Sequence, residues 1–422
     1  MIPLILVLVS SVTVISWHHQ SNCIRILKYM PTIEPSLRLC PKSGMINSKH
    51  RYRLKWTHFD SNTKRMSTAT NIRPDDDSST SLTDGLYDFG QYRCLFVNPK
   101  KMETTMHYPP MILLGGTAQS IDSWQIHIPS FSKDRSILIF ECATGKPTYD
   151  HNIHQLNVTL PRQAELVHQA IVHFFSSSSS FKACSGKVDI VGFSLGGRIA
   201  MAYVILFPSM VRKVHLTGVA AKRDEYARII LQSWLDILQP HTEKQDQEVD
   251  NTTSISLLEH LRKGQLRSLA WSILINTYSD EYLSKQGLDR IQQKWIPAIM
   301  ESNSVQGLFA LLQQTREVEL DPTRILEQNE EEEDDEGFLW HPTIMAQRIA
   351  SLLSTQYTFI DIRLHVGELD KLASVYQVQR LHSILKQGKD SKDIIIYKKC
   401  GHAVWLENAH LWRNDLLDFL NS

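Results

Sequence analysis

The chain has 422 residues, room for one large domain with an insertion or for two domains. Its 45 basic and 45 acidic side chains cancel to a net charge of +0, which excludes a general attraction to nucleic acid or to an anionic membrane. Six cysteines, Cys23, Cys40, Cys94, Cys142, Cys184 and Cys400, are too scattered for a metal-binding spacing or a disulfide framework, and neither metal nor cofactor is expected.

Residues 1–17 hold an uncharged apolar run, Ile2 to Ile15, short for a membrane span and suited to a signal-peptide core or signal anchor. If retained, it is the one segment expected to meet a membrane. Residues 18–84 read as leader and linker. As far as Arg73 they are rich in Lys, Arg, Ser and Thr, with Glu34 and Asp60 the only acids, and Asp75 to Ser81 reads as solvated linker. A signal-like run before a transit-like run resembles the two-part leaders of algae with complex plastids. That resemblance implies a plastid location; secretion or membrane anchoring is the open alternative.

From residue 85 onward, short apolar runs alternate with helical patterns. Tyr92 to Val97, Met111 to Leu114, Ser136 to Cys142, Lys187 to Val191 and Val211 to Val219 read as strands. Pro161 to Phe175 has apolar residues at helical spacing, and Ser176 to Ser180 reads as a polyserine loop. Arg198 to Phe207 reads as a helix stopped before Pro208. Such alternation predicts an α/β fold, a mostly parallel sheet with helices on both faces. Residues 85–219 form its first part.

Residues 220–346 change character. Tyr226 to Leu238, Ile255 to Arg262, Leu266 to Ile275, Tyr282 to Met300 and Ser304 to Gln314 all read as helices, with no strand among them. This predicts an inserted α-helical cap, interrupted by polar loops at His241 to Thr253 and at the acidic run Asn329 to Glu336. Residues 347–422 complete the core, with a helix at Gln347 to Leu353 and a strand at Tyr357 to Val366. An amphipathic helix at Lys371 to Leu385, a last strand at Asp393 to Lys398 and a closing helix at Leu411 to Leu420 follow.

Between the strand at Lys187 to Val191 and the next helix stands Gly192-Phe193-Ser194-Leu195-Gly196-Gly197. Strand, glycine-flanked turn and helix is the context of a G-x-S-x-G nucleophile elbow. A serine hydroxyl needs a histidine to take its proton, and the histidine needs a carboxylate to hold its tautomer. Ser194, Asp370 and His402 occur in that chain order, each just after a predicted strand. Glu368 competes with Asp370 for the acid; Asp370 is preferred because the turn residue Gly367 should precede the acid. Asp361 is placed too far from the strand's carboxyl end. Backbone N–H groups of Leu195 and Thr117 are expected to form an oxyanion hole, with Gly115 and Gly116 allowing close approach.

These motifs resemble the α/β-hydrolase superfamily over about residues 110 to 422. Val191 to Met201 is similar to the MenH-type enzymes, the succinyl-hydroxycyclohexadiene-carboxylate synthases of menaquinone and phylloquinone biosynthesis. Gly367-Glu368-Leu369-Asp370-Lys371 and Gly401-His402-Ala403-Val404-Trp405-Leu406-Glu407-Asn408 resemble the same family's acid and histidine motifs. The resemblance implies about eight strands with a helical cap, and a lyase reaction, proton abstraction followed by pyruvate elimination. Arg198 would then bind a substrate carboxylate, with Gly116 and Phe193 also touching substrate and Lys222, Arg223 and Arg228 adding charge at the start of the cap. Three features depart from the family: Gly115-Gly116 replaces His-Gly, Cys142 to Lys146 replaces the Gly-His-Gly turn, and Met300 to Gly307 carries no basic residue.

Two enzyme readings follow. The first is a MenH-like lyase acting on an anionic small molecule. The second is a hydrolase of a carboxylic ester or thioester, working through an acyl-enzyme on the same triad. A binding protein on the same scaffold is the third, disfavoured by the complete Ser-Asp-His set.

Overall fold

The inner strands Met111–Leu114 and Ile137–Phe140 are short, apolar and buried throughout, and the architecture follows from that. The computed structural model describes residues 84–89, 92–100, 108–141, 157–239, 251–316, 339–386 and 394–422, together with three short strands nearer the N-terminus. The chain divides into two compact units, Met1–Thr63 and Lys64–Ser422. In the first, Thr13–Val14 and Leu27–Lys28 pair antiparallel. Everything below concerns the second.

Among the described residues its sheet has nine strands: β1 (Thr70–Ile72), β2 (Gly85–Phe89), β3 (Tyr92–Val97), β4 (Met111–Leu114), β5 (Ile137–Phe140), β6 (Val188–Phe193), β7 (Val211–Thr217), β8 (Asp361–Gly367) and β9 (Ile394–Tyr397). The spatial order is β9-β8-β7-β6-β4-β5-β3-β2-β1. From β9 across to β5 every neighbouring pair is parallel, while β3 runs antiparallel to both β5 and β2. Alternation of side chains feeds two cores. In β4, Ile112 and Leu114 enter one cluster and Met111 and Leu113 the other, all four buried. A parallel sheet needs both faces covered in this way.

On the first face lie α1 (Leu160–Phe175), α2 (Leu195–Leu206), α8 (Pro342–Thr355) and α9 (Val375–Leu385). On the other lies α10 (Ala409–Asn421), whose Trp412, Leu416, Phe419 and Leu420 pack with Trp124 and Trp405. The cap comprises α3 (Glu225–Leu238), α4 (Asn251–Thr277), α5 (Asp280–Gln286), α6 (Ile296–Ser302) and α7 (Val305–Thr315). Ile230, Trp234 and Leu238 of α3, Leu266, Leu269 and Ile273 of α4, and Val305, Leu308 and Leu312 of α7 form its core.

The structure corrects several boundaries. The two helices expected at Ile255 to Arg262 and Leu266 to Ile275 are one, α4, running through Gly264. A single glycine costs a helix about 1 kcal/mol, too little to stop one that packs this well further on. The single helix expected at Tyr282 to Met300 is broken. Gly287 takes φ +78°, and a π-helical turn at Ile291–Trp295 precedes Pro297. Proline cannot donate within a helix, so the ladder reorganises just before it. Helix α8 starts at Pro342, inside the stretch assigned to the cap, with His341 as its N-cap. Helix α9 starts at Val375 rather than Lys371, because Asp370 ties the intervening turn. Ser179 and Ser180, expected in a loop, open a short helix, Ser179–Ala183. Strand β1 lies within the stretch read as leader and linker and pairs parallel to β2. The acidic run Asn329 to Glu336 and Cys142 to Lys146 lie outside the described residues.

Candidate active site

Ser194 stands at the junction of β6 and α2 with φ +52° and ψ −116°, a conformation that non-glycine residues rarely adopt. Close packing holds it there. A methyl on Gly196 would lie 2.1 Å from the Leu114 carbonyl oxygen at the end of β4, and one on Gly192 would lie 2.5 Å from the Gly197 Cα. Only hydrogen fits at either place, so strand and helix can meet at the sharp angle that lifts Ser194 out. The Ser194 amide donates to the Thr217 carbonyl at 2.9 Å, which anchors the elbow to β7.

Asp370 and His402 come from the ends of β8 and β9. His402 Nδ1 donates to Asp370 Oδ2 at 2.7 Å, with both side chains almost wholly buried. The other carboxylate oxygen, Oδ1, accepts the Leu372 and Ala373 amides, each at 2.8 Å. Three donors therefore define one orientation of the carboxylate. Glu368 faces elsewhere: it is exposed and accepts from Lys398 Nζ and the Lys399 amide, each at 2.9 Å, and these hold its carboxyl below the usual range. Asp361 begins β8, at the end away from the site, within 3.3 Å of Lys386 Nζ.

The Asp370 bond leaves His402 Nε2 as the nitrogen able to accept a proton; it is buried and has no protein partner among the described residues. The Phe193 ring lies 4.9 Å from the His402 ring, and Trp405 packs 5.6 Å from Phe193. The Cβ position of Gly116 is 3.2 Å from Ser194 Cβ and 2.9 Å from the Phe193 ring, so Gly116 packs directly against both residues.

The turn after β4 meets the elbow from the other side. Gly116 N–H donates to Gln119 Oε1 at 2.7 Å, and the Gln119 amide returns to the Gly116 carbonyl at 3.1 Å. These bonds leave the Thr117 amide outside the turn's own pairing. Leu195 is the first residue of α2, where amides have no intrahelical acceptor. Ala118 follows at φ +60°, its carbonyl accepting from Asn303 Nδ2 of the cap at 3.2 Å.

Arg198, for which the family resemblance implies a carboxylate-binding role, meets the end of a cap helix. It is buried, and its Nη1 donates at 2.6 Å to the carbonyl of Thr315, the last residue of α7. Helix-terminal carbonyls lack intrahelical donors, and a guanidinium is well suited to fill that need. Arg228 pairs with Glu225 on the exposed start of α3.

Three further residues of the site escaped the sequence reading. Gly218, at φ +65° just past β7, has its Cβ position 2.7 Å from His402 Cε1. The only local signal was a glycine at the carboxyl end of a strand next to the nucleophile strand. Glu407 lay within the histidine motif without a role. Thr277, whose carbonyl accepts the His402 amide at 2.7 Å, carried no signal at all.

A family model described as the alpha/beta hydrolase fold matches residues 185–409, more than half of the chain. Among solved structures, MGS-M2, an alpha/beta hydrolase enzyme from a Medee basin deep-sea metagenome library, is similar at 14% identity and TM-score 0.54, covering 80% of this chain and 98% of that one. The enol-lactonase from Burkholderia xenovorans LB400 is similar at 11% identity and TM-score 0.51, covering 80% of this chain and all of that one. A hydrolase from Pseudomonas aeruginosa PA01 is similar at 12% identity and TM-score 0.51, covering 80% and 98%. No curated protein matches the sequence. Identities this low speak to fold alone, and fold and family model agree: the chain belongs to the alpha/beta hydrolase family.

Proposed function

We propose that the protein is a serine hydrolase of a carboxylic ester or thioester, with Ser194 as nucleophile, His402 as base and Asp370 as the acid that orients it. The observation that carries this reading is the His402–Asp370 pair at 2.7 Å, with Nε2 left open and the imidazole against Phe193, the residue that precedes Ser194 on its strained elbow. His402 takes the Ser194 proton as the hydroxyl attacks the acyl carbon. It then returns that proton to the leaving alcohol or thiol. Water, deprotonated by the same histidine, releases the acid and restores Ser194. The amides of Thr117 and Leu195 stabilise the oxyanion of each tetrahedral intermediate.

The MenH-like lyase is the second reading, favoured by the run Gly196-Gly197-Arg198. In that reaction the triad would remove a carbon-bound proton and pyruvate would leave. The Arg198–Thr315 bond tells against it, since it turns part of the guanidinium toward a helix end rather than a substrate carboxylate. The experiment is to offer the purified protein the quinone-pathway intermediate and a panel of neutral acyl esters and thioesters, following pyruvate and free acid. Arg198→Ala is tested alongside. Ester cleavage without pyruvate, abolished by Ser194→Ala and kept in a folded Arg198→Ala, supports the hydrolase. Pyruvate release that collapses in Arg198→Ala overturns it in favour of the lyase. Location in a plastid, by way of the two-part leader, belongs to the same proposal and is read by fusing residues 1–84 to a fluorescent reporter.

A further inference from the structure

Glu407 sits five residues beyond His402, at the end of the short helix Val404–Glu407. Its carboxylate joins two parts of the fold that are remote in sequence. Oε1 accepts the Gly401 amide at 2.9 Å, in the loop that carries His402. The same oxygen accepts the Ser279 amide at 3.1 Å, and Oε2 accepts the Ser279 hydroxyl at 2.5 Å. Ser279 is the N-cap of α5, in the cap.

A second set of bonds runs parallel to the first. The Thr277 carbonyl, at the C-terminus of α4, accepts the amides of His402 at 2.7 Å and Ala403 at 3.2 Å. Three consecutive amides, those of Gly401, His402 and Ala403, thus end on groups of the cap or on the carboxylate that holds it. Packing is equally close. A methyl on Gly401 would lie 2.8 Å from both the Ser279 nitrogen and the Thr277 oxygen, and 2.9 Å from Glu407 Oε1. Neither segment can shift without moving the backbone of His402.

We infer that Glu407 is a positioning residue that seats the His402 loop against the cap segment Thr277–Ser279, so that the base is aligned only while the cap is docked. This inference rests on the triad reading above. Its basis is geometric rather than electrostatic. Both amides end on Oε1, and a glutamine would keep that acceptor while its NH2 group donated to the Ser279 hydroxyl. A misplacement of the base by about 1 Å can cost on the order of 100-fold in turnover.

The test uses the full-length protein and a fluorophosphonate probe, which labels Ser194 only when His402 activates it, whatever the natural substrate. Wild type, Glu407→Ala, Glu407→Gln and Ser279→Ala are compared for labelling rate, for kcat and KM on a small neutral ester, and for Tm. Glu407→Ala is expected to label and turn over about 10- to 100-fold more slowly with KM little changed, and Glu407→Gln to recover most of that loss. Ser279→Ala, which keeps the amide contact, should lose only a few-fold and serves if Glu407→Ala does not fold. Equal labelling rates in wild type and Glu407→Ala overturn the inference, as does a Glu407→Gln as slow as Glu407→Ala. If Glu407→Ala does not fold, a Ser279→Ala with unchanged labelling overturns it. Wild type that does not label at all instead overturns the triad reading on which it stands.

Discussion

Replacing Gly218 with alanine probes how tightly His402 is seated. At φ +65° the new methyl would stand 2.7 Å from His402 Cε1 and 2.9 Å from Nδ1. Comfortable carbon contacts begin near 3.5 Å, so the ring or the strand end must yield by roughly 0.8 Å. The ring has little room to do so. Asp370 holds one edge at 2.7 Å, Phe193 packs at 4.9 Å, and the loop amide is tied to Thr277. Two costs follow. Alanine in the left-handed region loses about 1–2 kcal/mol of stability. Displacing the base costs turnover on the order of 100-fold, about 2.7 kcal/mol in the barrier. Gly287→Ala separates the two, because Gly287 also has a positive φ, +78°, but nothing lies within 4 Å of its Cβ position. Urea unfolding gives the stability of each variant, and ester turnover with fluorophosphonate labelling gives the activity. Both variants should lose stability, and only Gly218→Ala should lose activity steeply. If Gly218→Ala works within about threefold of Gly287→Ala, the reasoning about the His402 seat is wrong.

Asp370→Asn keeps an acceptor for the Leu372 and Ala373 amides but presents NH2 to His402 Nδ1, favouring the wrong tautomer, so turnover should fall about 10²- to 10⁴-fold. Glu368→Gln, on an exposed side chain, should stay within about threefold of wild type; the reverse ranking would move the acid to Glu368. Asp189, wholly buried at the start of β6, accepts from Arg135 Nη1 at 3.0 Å and Arg212 Nε at 2.8 Å. Asp189→Ala should destabilise by about 3–5 kcal/mol in urea while the folded fraction keeps its kcat, since Arg135 is left buried without its carboxylate; a loss under 1 kcal/mol would contradict this. Burial lowers His127 to about 4 and His215 to about 3, and lowers His365 well below its ordinary value. The unfolded chain binds these protons near pH 6.5 and the native one does not, so this stability is complete above pH 6.5 and is lost as pH falls to about 4 for His127 and about 3 for His215. Each histidine contributes a slope of about 1.4 kcal/mol per pH unit. In His215→Phe the stability measured between pH 6 and 4.5 should fall less steeply by about that amount, and an unchanged slope would show that His215 is not buried neutral.

Ser194 was legible in the sequence because its whole signal is local: an apolar strand, two close-packed glycines and a helix lie within about twenty residues of one another. Asp370 and His402 were legible through order and strand-end position, and the competition with Glu368 was not decidable there. Two carboxylates two residues apart differ only in what faces them, and Lys398 and the Lys399 amide face one while His402 faces the other. Gly264 falls in the gap between two helices expected at Ile255 to Arg262 and Leu266 to Ile275, which the structure joins into one. Propensity marks it as a break, and the packing of Leu266, Leu269 and Ile273 outweighs it.

By itself, the sequence determined the alternation of strand and helix, the two-sided burial of the sheet, the presence of a helical cap and the elbow at Ser194. All of these are short-range patterns of apolar spacing and glycine placement. Only the tertiary structure decided which acid meets His402, where Arg198 points and how the cap grips the His402 loop. Those contacts join residues such as Ser279 and Glu407, 128 positions apart, or Arg198 and Thr315, 117 apart. Nothing in the composition of either partner encodes such a pairing. It arises when strands register side by side and helix ends are left with carbonyls to satisfy, so it exists only once the chain has closed on itself.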